Sequence, residues 1–372
     1  MKCSISNIAN VISESIPNPA ESGFDIFVGL EHYDSGEVKI TRYGSTQNLV
    51  TAVKVFRKGD ILLARRNVYL KRAGLVDFDG VTSGDSIVLR VKDDLSSLTL
   101  QSEDIRMYLP FVLNTEEFWN YAEKYSDGTM SKRLSPKTLL QYEFDIPDDV
   151  TEKNRLLWQA YKTKESYKAM ILATDEMVKS QFIEETQRWE NEGTIRDLIQ
   201  NTVEKAGQKL SADSKLRYID ISSVDNGTNT VTGVTEYIFK DAPSRAQQCV
   251  RKGDILVSTV RPNLKNIAVN HLDGDDLVAS SGFCVLRPKE GCAGLIMAYI
   301  LSDVFTEKMT LVAKGTNYPA IHDSDILNYK IRLSDDSKVS MIDRLFKQAD
   351  KSKFELKQAV EKIDKVMRAL MQ

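Results

Sequence analysis

The sequence predicts an α+β protein. It should contain two repeated β-rich modules, each followed by a long helix, with the two helices packing as an antiparallel coiled coil. Three observations carry this expectation. Arg57-Lys58-Gly59-Asp60-Ile61-Leu62 returns as Arg251-Lys252-Gly253-Asp254-Ile255-Leu256, an offset of 194 residues in a chain of 372. Five further landmarks keep the same order in both halves, as a duplicated architecture requires. Residues 149–190 and 336–372 contain neither Pro nor Gly and carry helical seams.

In chain order, residues 1–22 read as a short amphipathic helix (Ile5, Ile8, Val11, Ile12) ended by Pro17-Asn18-Pro19. Short strands are expected at Phe27–Leu30, Val38–Thr41, Ile61–Ala64, Gly74–Val76 and Ser86–Val91, with turns at Asp34-Ser35-Gly36, Lys58-Gly59-Asp60 and 77–80. Residues 103–125 look helical, and a short helix and a strand at Tyr142–Ile146 follow the Gly128 turn. The first long helix has a seam of Leu156, Ala160, Thr163, Tyr167, Met170, Thr174 and Met177, alternating by four and three, and Gly193 suits the position just past its end.

The order then repeats. Ile195–Leu198 matches Ile5–Ile8, and Tyr218–Ile221 before Asp225-Asn226-Gly227 matches Phe27–Leu30 before Asp34-Ser35-Gly36. Ser281–Arg287 matches Ser83–Arg90, and residues 293–309 again look helical. Tyr329 follows Gly315-Thr316 at the spacing that separates Tyr142 from Gly128-Thr129. The last segment carries the clearest heptad: Ile342, Leu345, Ala349, Ser352, Leu356, Ala359, Ile363, Val366 and Leu370. The expected domains are 1–147, a helix at 148–192, 193–334, and a helix at 335–372. Two apolar seams are costly in water, so the helices should pack on each other. A helix of about 36 residues is roughly 54 Å long.

Composition narrows the function. A hydrophobic fraction of 42% and a charged fraction of 28% fit a soluble globular chain. The net charge of −3 argues against a wholly basic nucleic-acid coat but leaves room for local basic patches. Cys3, Cys249, Cys284 and Cys292 have neither zinc nor disulfide-framework spacing, so free thiols in a reducing compartment are expected. The start has no apolar signal region and no run is long enough to span a bilayer, so a cytoplasmic location is expected, without a membrane.

Two basic clusters occupy equivalent places. Lys54, Arg57, Lys58, Arg65, Arg66, Lys71 and Arg72 fall in a window whose only acid is Asp60, and Arg245, Arg251, Lys252, Arg261 and Lys265 are their counterparts. Asn67, Asn263 and Asn266 are interleaved. Arg and Asn make bidentate contacts with guanine and adenine edges, and Lys neutralises phosphate. One such cluster reads as a solvated loop; two in equivalent positions favour DNA. The Gly-Thr turns add candidates in Lys132 and Arg133, and in Thr316, Asn317 and Tyr318; a plain turn before a helix cap is the other reading. Catalytic constellations are absent: His32, His271 and His322 form no metal pattern, and there is no phosphate loop, no GxGxxG and no amino-methyltransferase tetrapeptide.

The paired Lys58–Leu62 and Ser83–Arg90, with Lys252–Leu256 and Ser281–Arg287, resemble the specificity (S) subunit of type I restriction–modification systems over essentially the whole chain. The resemblance implies two target-recognition domains that read an asymmetric bipartite DNA site, with the helix pair as spacer. Half-sites one DNA turn apart are roughly 34–36 Å apart, within reach of such a spacer. It further implies a non-catalytic chain with no cofactor of its own. Two modification subunits carrying S-adenosylmethionine would methylate adenine N6 on this scaffold, and a restriction–translocase subunit would cleave. The other reading is a stand-alone coiled-coil DNA-binding or regulatory protein that self-associates through Ile342–Leu370.

Overall fold

Both copies of the repeated hexapeptide fold the same way. Gly59 (φ 89°) and Gly253 (φ 87°) take the left-handed conformation that suits glycine. The next residue folds back: Asp60 Oδ2 accepts from the Arg57 amide and Asp254 Oδ2 from the Arg251 amide, both at 2.8 Å. Each aspartate then receives a two-pronged arginine from a neighbouring strand, Arg90 at 2.7 and 2.7 Å and Arg287 at 3.0 and 2.8 Å. Both aspartates are buried, and charge pairing with bidentate hydrogen bonding offsets the cost of removing them from water.

A computed structural model describes residues 1–19, 23–47, 49–128, 131–200 and 203–372, and structural counts refer to those residues. The chain divides into two compact units, Met1–Lys164 with Glu361–Gln372, and Glu165–Val360. The first unit holds strands β1 (Lys2–Ser4), β2 (Ala9–Ile12), β3 (Ser15–Ile16), β4 (Ile26–Val28), β5 (Gly44–Ser45), β6 (Val53–Phe56), β7 (Ile61–Ala64), β8 (Ala73–Leu75), β9 (Gly80–Thr82), β10 (Ser86–Val91) and β11 (Glu143–Asp145). Its short helices are α1 (Ile5–Ile8), α2 (Ser102–Val112), α3 (Glu116–Lys124) and α4 (Pro136–Leu140). One sheet runs β2-β10-β7-β8, a second runs β3-β6-β9-β4-β5, and β1 pairs with β11. Strand β7 is buried on both faces, as its unbroken apolar run requires. Ile61 and Leu63 join a core with Ile105, Leu109 and Phe118, while Leu62 and Ala64 join one with Val28 and Phe56.

Long helix α5 (Val150–Gln187) leads into the second unit. There follow β12 (Asn191–Thr194), α6 (Ala206–Lys209), β13 (Lys215–Ile219), β14 (Val224–Asp225), β15 (Thr230–Val231), β16 (Thr235–Ile238), β17 (Ala246–Cys249), β18 (Ile255–Ser258), β19 (Ile267–Val269), β20 (Leu277–Ser280), β21 (Phe283–Leu286), α7 (Ala293–Ile300), α8 (Asp303–Val312), α9 (Asp323–Leu327) and β22 (Lys330–Leu333), then long helix α10 (Asp336–Met371). The plan repeats: β21-β18-β19 corresponds to β10-β7-β8, the parallel pair β13/β20 to β4/β9, and β12/β22 to β1/β11. Trp189 lies just after α5, buried in this unit's core with Phe182 and Ile195. Trp119 and Trp158 belong to the first unit's core. The four cysteines are free thiols, and no described helix is long and apolar enough to cross a membrane.

Several local expectations are corrected. The N-terminal segment is only a one-turn helix between β1 and β2, because pairing of Ala9–Ile12 with β10 outweighs the helical spacing of its isoleucines. Val38–Thr41 is not a strand; it makes a single bridge, Lys39 to Leu75. Gly80 begins β9 instead of closing a turn, and β6 was unforeseen. Gly193 lies in β12, where the chain pairs with Ile331, and does not cap α5. The expected helices 103–125 and 293–309 are each two helices, since Thr115 and Ser302 cap new helix starts by accepting from the Phe118 and Phe305 amides.

The helix seams are also corrected. On α5, Leu156, Met170 and Met177 are exposed and Ala160 and Tyr167 half-buried. The buried stripe lies one residue later, at Leu157, Tyr161, Lys164, Val178 and Phe182, a turn of about 100° around the helix. Charged residues occupy it. Within the first unit Lys164 Nζ meets Asp364 at 2.9 Å and Glu37 at 3.3 Å, beside half-buried Met367 and Leu370. Within the second, Asp175 meets Lys353 at 2.7 Å, and Phe182 shares a core with Val339 and Ile342. In each unit α5 and α10 therefore run antiparallel. On α10, Ile342 and Ala349 are buried and Leu345, Leu356, Ile363 and Leu370 half-buried, but Val366 is exposed and Met367 takes its place. Because Lys164, Asp175 and Lys353 are paired by charge, apolar character alone misplaced the stripe.

Candidate nucleic-acid interface

In each unit the chain leaving the central strand forms a 3-10 turn flanked by two left-handed residues. In the first unit these are Asn67 (φ 56°) and Lys71 (φ 49°) around Val68–Leu70; in the second, Arg261 (φ 50°) and Lys265 (φ 51°) around Pro262–Leu264. The described residues contain six non-glycine residues with positive φ, and four of them are in these two turns. Each left-handed side chain costs roughly 1–2 kcal/mol, so the shape is held by its surroundings.

A glycine hairpin holds it. In the first unit the Asn67 amide donates to Lys132 O at 2.9 Å, the Leu134 amide to Arg65 O at 2.9 Å, and Asp127 and Arg133 close the hairpin that contains Gly128 (φ 99°). In the second, the Arg261 amide donates to Pro319 O at 2.7 Å, the Ile321 amide to Thr259 O at 2.9 Å, and Lys314 and Ala320 close the hairpin that contains Gly315 (φ 109°). The sequence-level candidates thus fall into one cluster per unit. Thr129 and Met130 of the first Gly-Thr turn lie outside the described residues.

The clusters divide their cations between holding the loop and facing solvent. Lys71 Nζ sits between both Glu116 oxygens at 2.6 and 2.7 Å, at the first turn of α3. Lys265 makes the matching contact with Asp303, at the first turn of α8, and holds that carboxyl below its usual range. Arg72 donates to Leu30 O at 2.9 Å and Arg66 O at 3.3 Å. These three are engaged inside the fold. Arg66 and Arg133 share Asp85 at 3.8 and 3.6 Å, and Arg66 Nε also donates to the Ser131 hydroxyl at 3.0 Å. Ser131 in turn donates to Asn67 Oδ1 at 3.0 Å, and Lys132 reaches Glu123 O at 3.2 Å. Arg65 Nε is buried and finds no acceptor among the described residues. Burial, and then the charge of Arg65, hold the Lys54 amine below its usual range. In the second unit Arg261 lies over the Tyr318 ring at 4.7 Å and donates to Asn317 O at 3.2 Å. Asn263, Thr316, Asn317 and Tyr318 are exposed, whereas Asn266 is half-buried and accepts from the Ser258 amide through its carbonyl.

Sequence reasoning named Lys54 and Asn263 but missed Asp85, Tyr69 and Leu264. Tyr69 is 60% exposed and Leu264 is 46% exposed. The repeat offset of 194 was the signal that could have found them: it sets Asn67 against Arg261, Tyr69 against Asn263, Leu70 against Leu264 and Lys71 against Lys265.

No protein-family model and no curated protein matches the chain. Solved structures do. The S subunit of a type I restriction-modification system from M. genitalium aligns over 100% of this chain and 95% of its own, with a TM-score of 0.55 and 13% identity. This chain has the type I S-subunit fold. A chain of a type I R-M system complex aligns over 100% and 96% at TM-score 0.46 and 15% identity. The HsdS subunit from Thermoanaerobacter tengcongensis aligns over 100% and 95% at TM-score 0.38 and 15% identity. On this S-subunit fold, each unit carries one hairpin-braced cationic turn. Its exposed side chains carry hydrogen-bond donors, cationic groups and an aromatic ring of the kinds that can meet phosphates and base edges.

Proposed function

We propose that the chain is the DNA-reading subunit of a type I restriction–modification complex, with each unit's turn reading one half of an asymmetric bipartite site. The observation that carries this is the double construction of one braced turn within an S-subunit fold. Its supports are the same in both copies: Gly59 and Gly253, Asp60 and Asp254, Arg90 and Arg287, Lys71 and Lys265. Its solvent-facing residues differ, so two different half-sequences are expected. The chain would be non-catalytic and would scaffold two adenine-N6 methyltransferase subunits that bring S-adenosylmethionine, with a restriction subunit joining for cleavage. The test is long-read methylation sequencing of a methylation-free host expressing the chain with its methyltransferase partner. N6-methyladenine at one asymmetric, interrupted motif is expected; a continuous or palindromic motif would overturn the proposal.

A further inference from the structure

The two turns share a backbone and differ at their tips. Each is five residues long, closed by a first-to-fourth hydrogen bond (Leu70 amide to Asn67 O, Leu264 amide to Arg261 O, both 2.9 Å) and by a second-to-fifth one (Lys71 amide to Val68 O at 2.9 Å, Lys265 amide to Pro262 O at 3.1 Å). Each is bolted at its last residue to the start of a helix, by Lys71 to Glu116 and by Lys265 to Asp303. Each is laced at its first residue to the glycine hairpin. Backbone strain concentrated at such a place, and duplicated, marks a shape retained for use. The third residue of each turn projects outward: Tyr69 is 60% exposed, and Asn263 is exposed with no side-chain hydrogen bond among the described residues.

Resting on the DNA-reading function proposed above, we propose that Tyr69 and Asn263 are equivalent specificity-determining residues, one for each half-site, presented by a backbone that is the same in both units. Lys71 and Lys265 hold the turns and contact no DNA. A rigid five-residue loop has little order left to lose on binding, so changing one tip side chain changes the base preference without rebuilding the module. The chemistry at the tips differs accordingly. Asn263 can give and accept at once along an adenine edge, whereas Tyr69 offers a ring for a thymine methyl and a hydroxyl for a single hydrogen bond. Around Tyr69 the cations Arg66 and Arg133 are about half exposed and share one partly buried acid, leaving positive charge for phosphates.

The tips can be exchanged singly. Tyr69→Asn gives the first turn the second turn's tip, and Asn263→Tyr does the reverse; both sites are on the surface, so folding is preserved. Each variant is assembled with its methyltransferase partner and its motif read by long-read methylation sequencing. Tyr69→Asn should alter or relax one or two positions in one half-site only, with about a ten- to hundred-fold loss at the original sequence. Asn263→Tyr should act on the other half-site alone. An unaltered motif in both tip variants, or an equal loss at every site, would sink the inference while the wild-type bipartite motif stands. A wild type with no interrupted motif would instead sink the function on which it rests.

Discussion

Asp254 and Arg287 are both almost sealed from water, with side-chain exposures of 2% and 8%, whereas Arg90 opposite Asp60 is 38% exposed. Removing one partner of a buried pair strands the other charge, at about 3–5 kcal/mol. Arg287→Gln is therefore expected to cost that much in urea unfolding, and Arg90→Gln clearly less, because water reaches the stranded Asp60 more easily. Equal losses would show that the two pairs are not graded by solvent access. Tyr33 gives a second expectation at this scale. Its ring is buried, its hydroxyl meets Ser86 Oγ at 2.8 Å, and burial pushes its ionisation from 10.0 up to about 12. The folded pKa is the higher one, so the stabilisation is whole below pH 10 and is lost as pH climbs towards 12. Two pH units correspond to roughly 3 kcal/mol. Tyr33→Phe should flatten the alkaline limb of a stability–pH curve; an unchanged limb would remove Tyr33 as its cause.

Among elements, the long helices offer the sharpest test. If the contact stripe of α5 runs through Leu157, then Leu157→Lys should lower the urea midpoint by the equivalent of about 3 kcal/mol or more. Leu156→Lys, one residue away on the exposed face, should stay within about 0.5 kcal/mol. The reverse ranking would restore the stripe read from apolar residues. The helices themselves were legible because both lack Gly and Pro; the stripe was not, because Lys164, Asp175 and Lys353 sit in it and look like surface residues in a sequence. Strands β7 and β21 were legible as unbroken apolar runs, and β10 by its Ile87–Leu89 run, each beside a glycine turn. Strand β9 was hidden in a glycine turn signal, and the helix breaks at Thr115 and Ser302 were hidden because capping threonine and serine are common on any helix surface.

For the whole molecule, the repeat made the architecture legible and left the candidate interface half readable. The hexapeptide offset aligned the two modules, and the basic windows fall on or beside the two braced turns that form the candidate interface. The sequence could not tell Lys71 and Arg72, which are spent inside the fold, from Arg66 and Arg133, which face solvent, because that depends on Glu116, Leu30 and Asp85 coming from distant parts of the chain. Net charge was equally uninformative: an excess of three acids over the whole chain coexists with turns whose local balance is positive.

The placement of the tryptophans has a practical consequence. There are three in the chain, and Trp189 alone belongs to the second unit, enclosed beside Phe182 and Ile195. With Trp119 and Trp158 replaced by phenylalanine, the remaining indole becomes a built-in fluorophore for that unit. Its emission moves to longer wavelength when the unit opens and ignores events confined to the other, so the half carrying Asn263 can be followed optically without attaching any label.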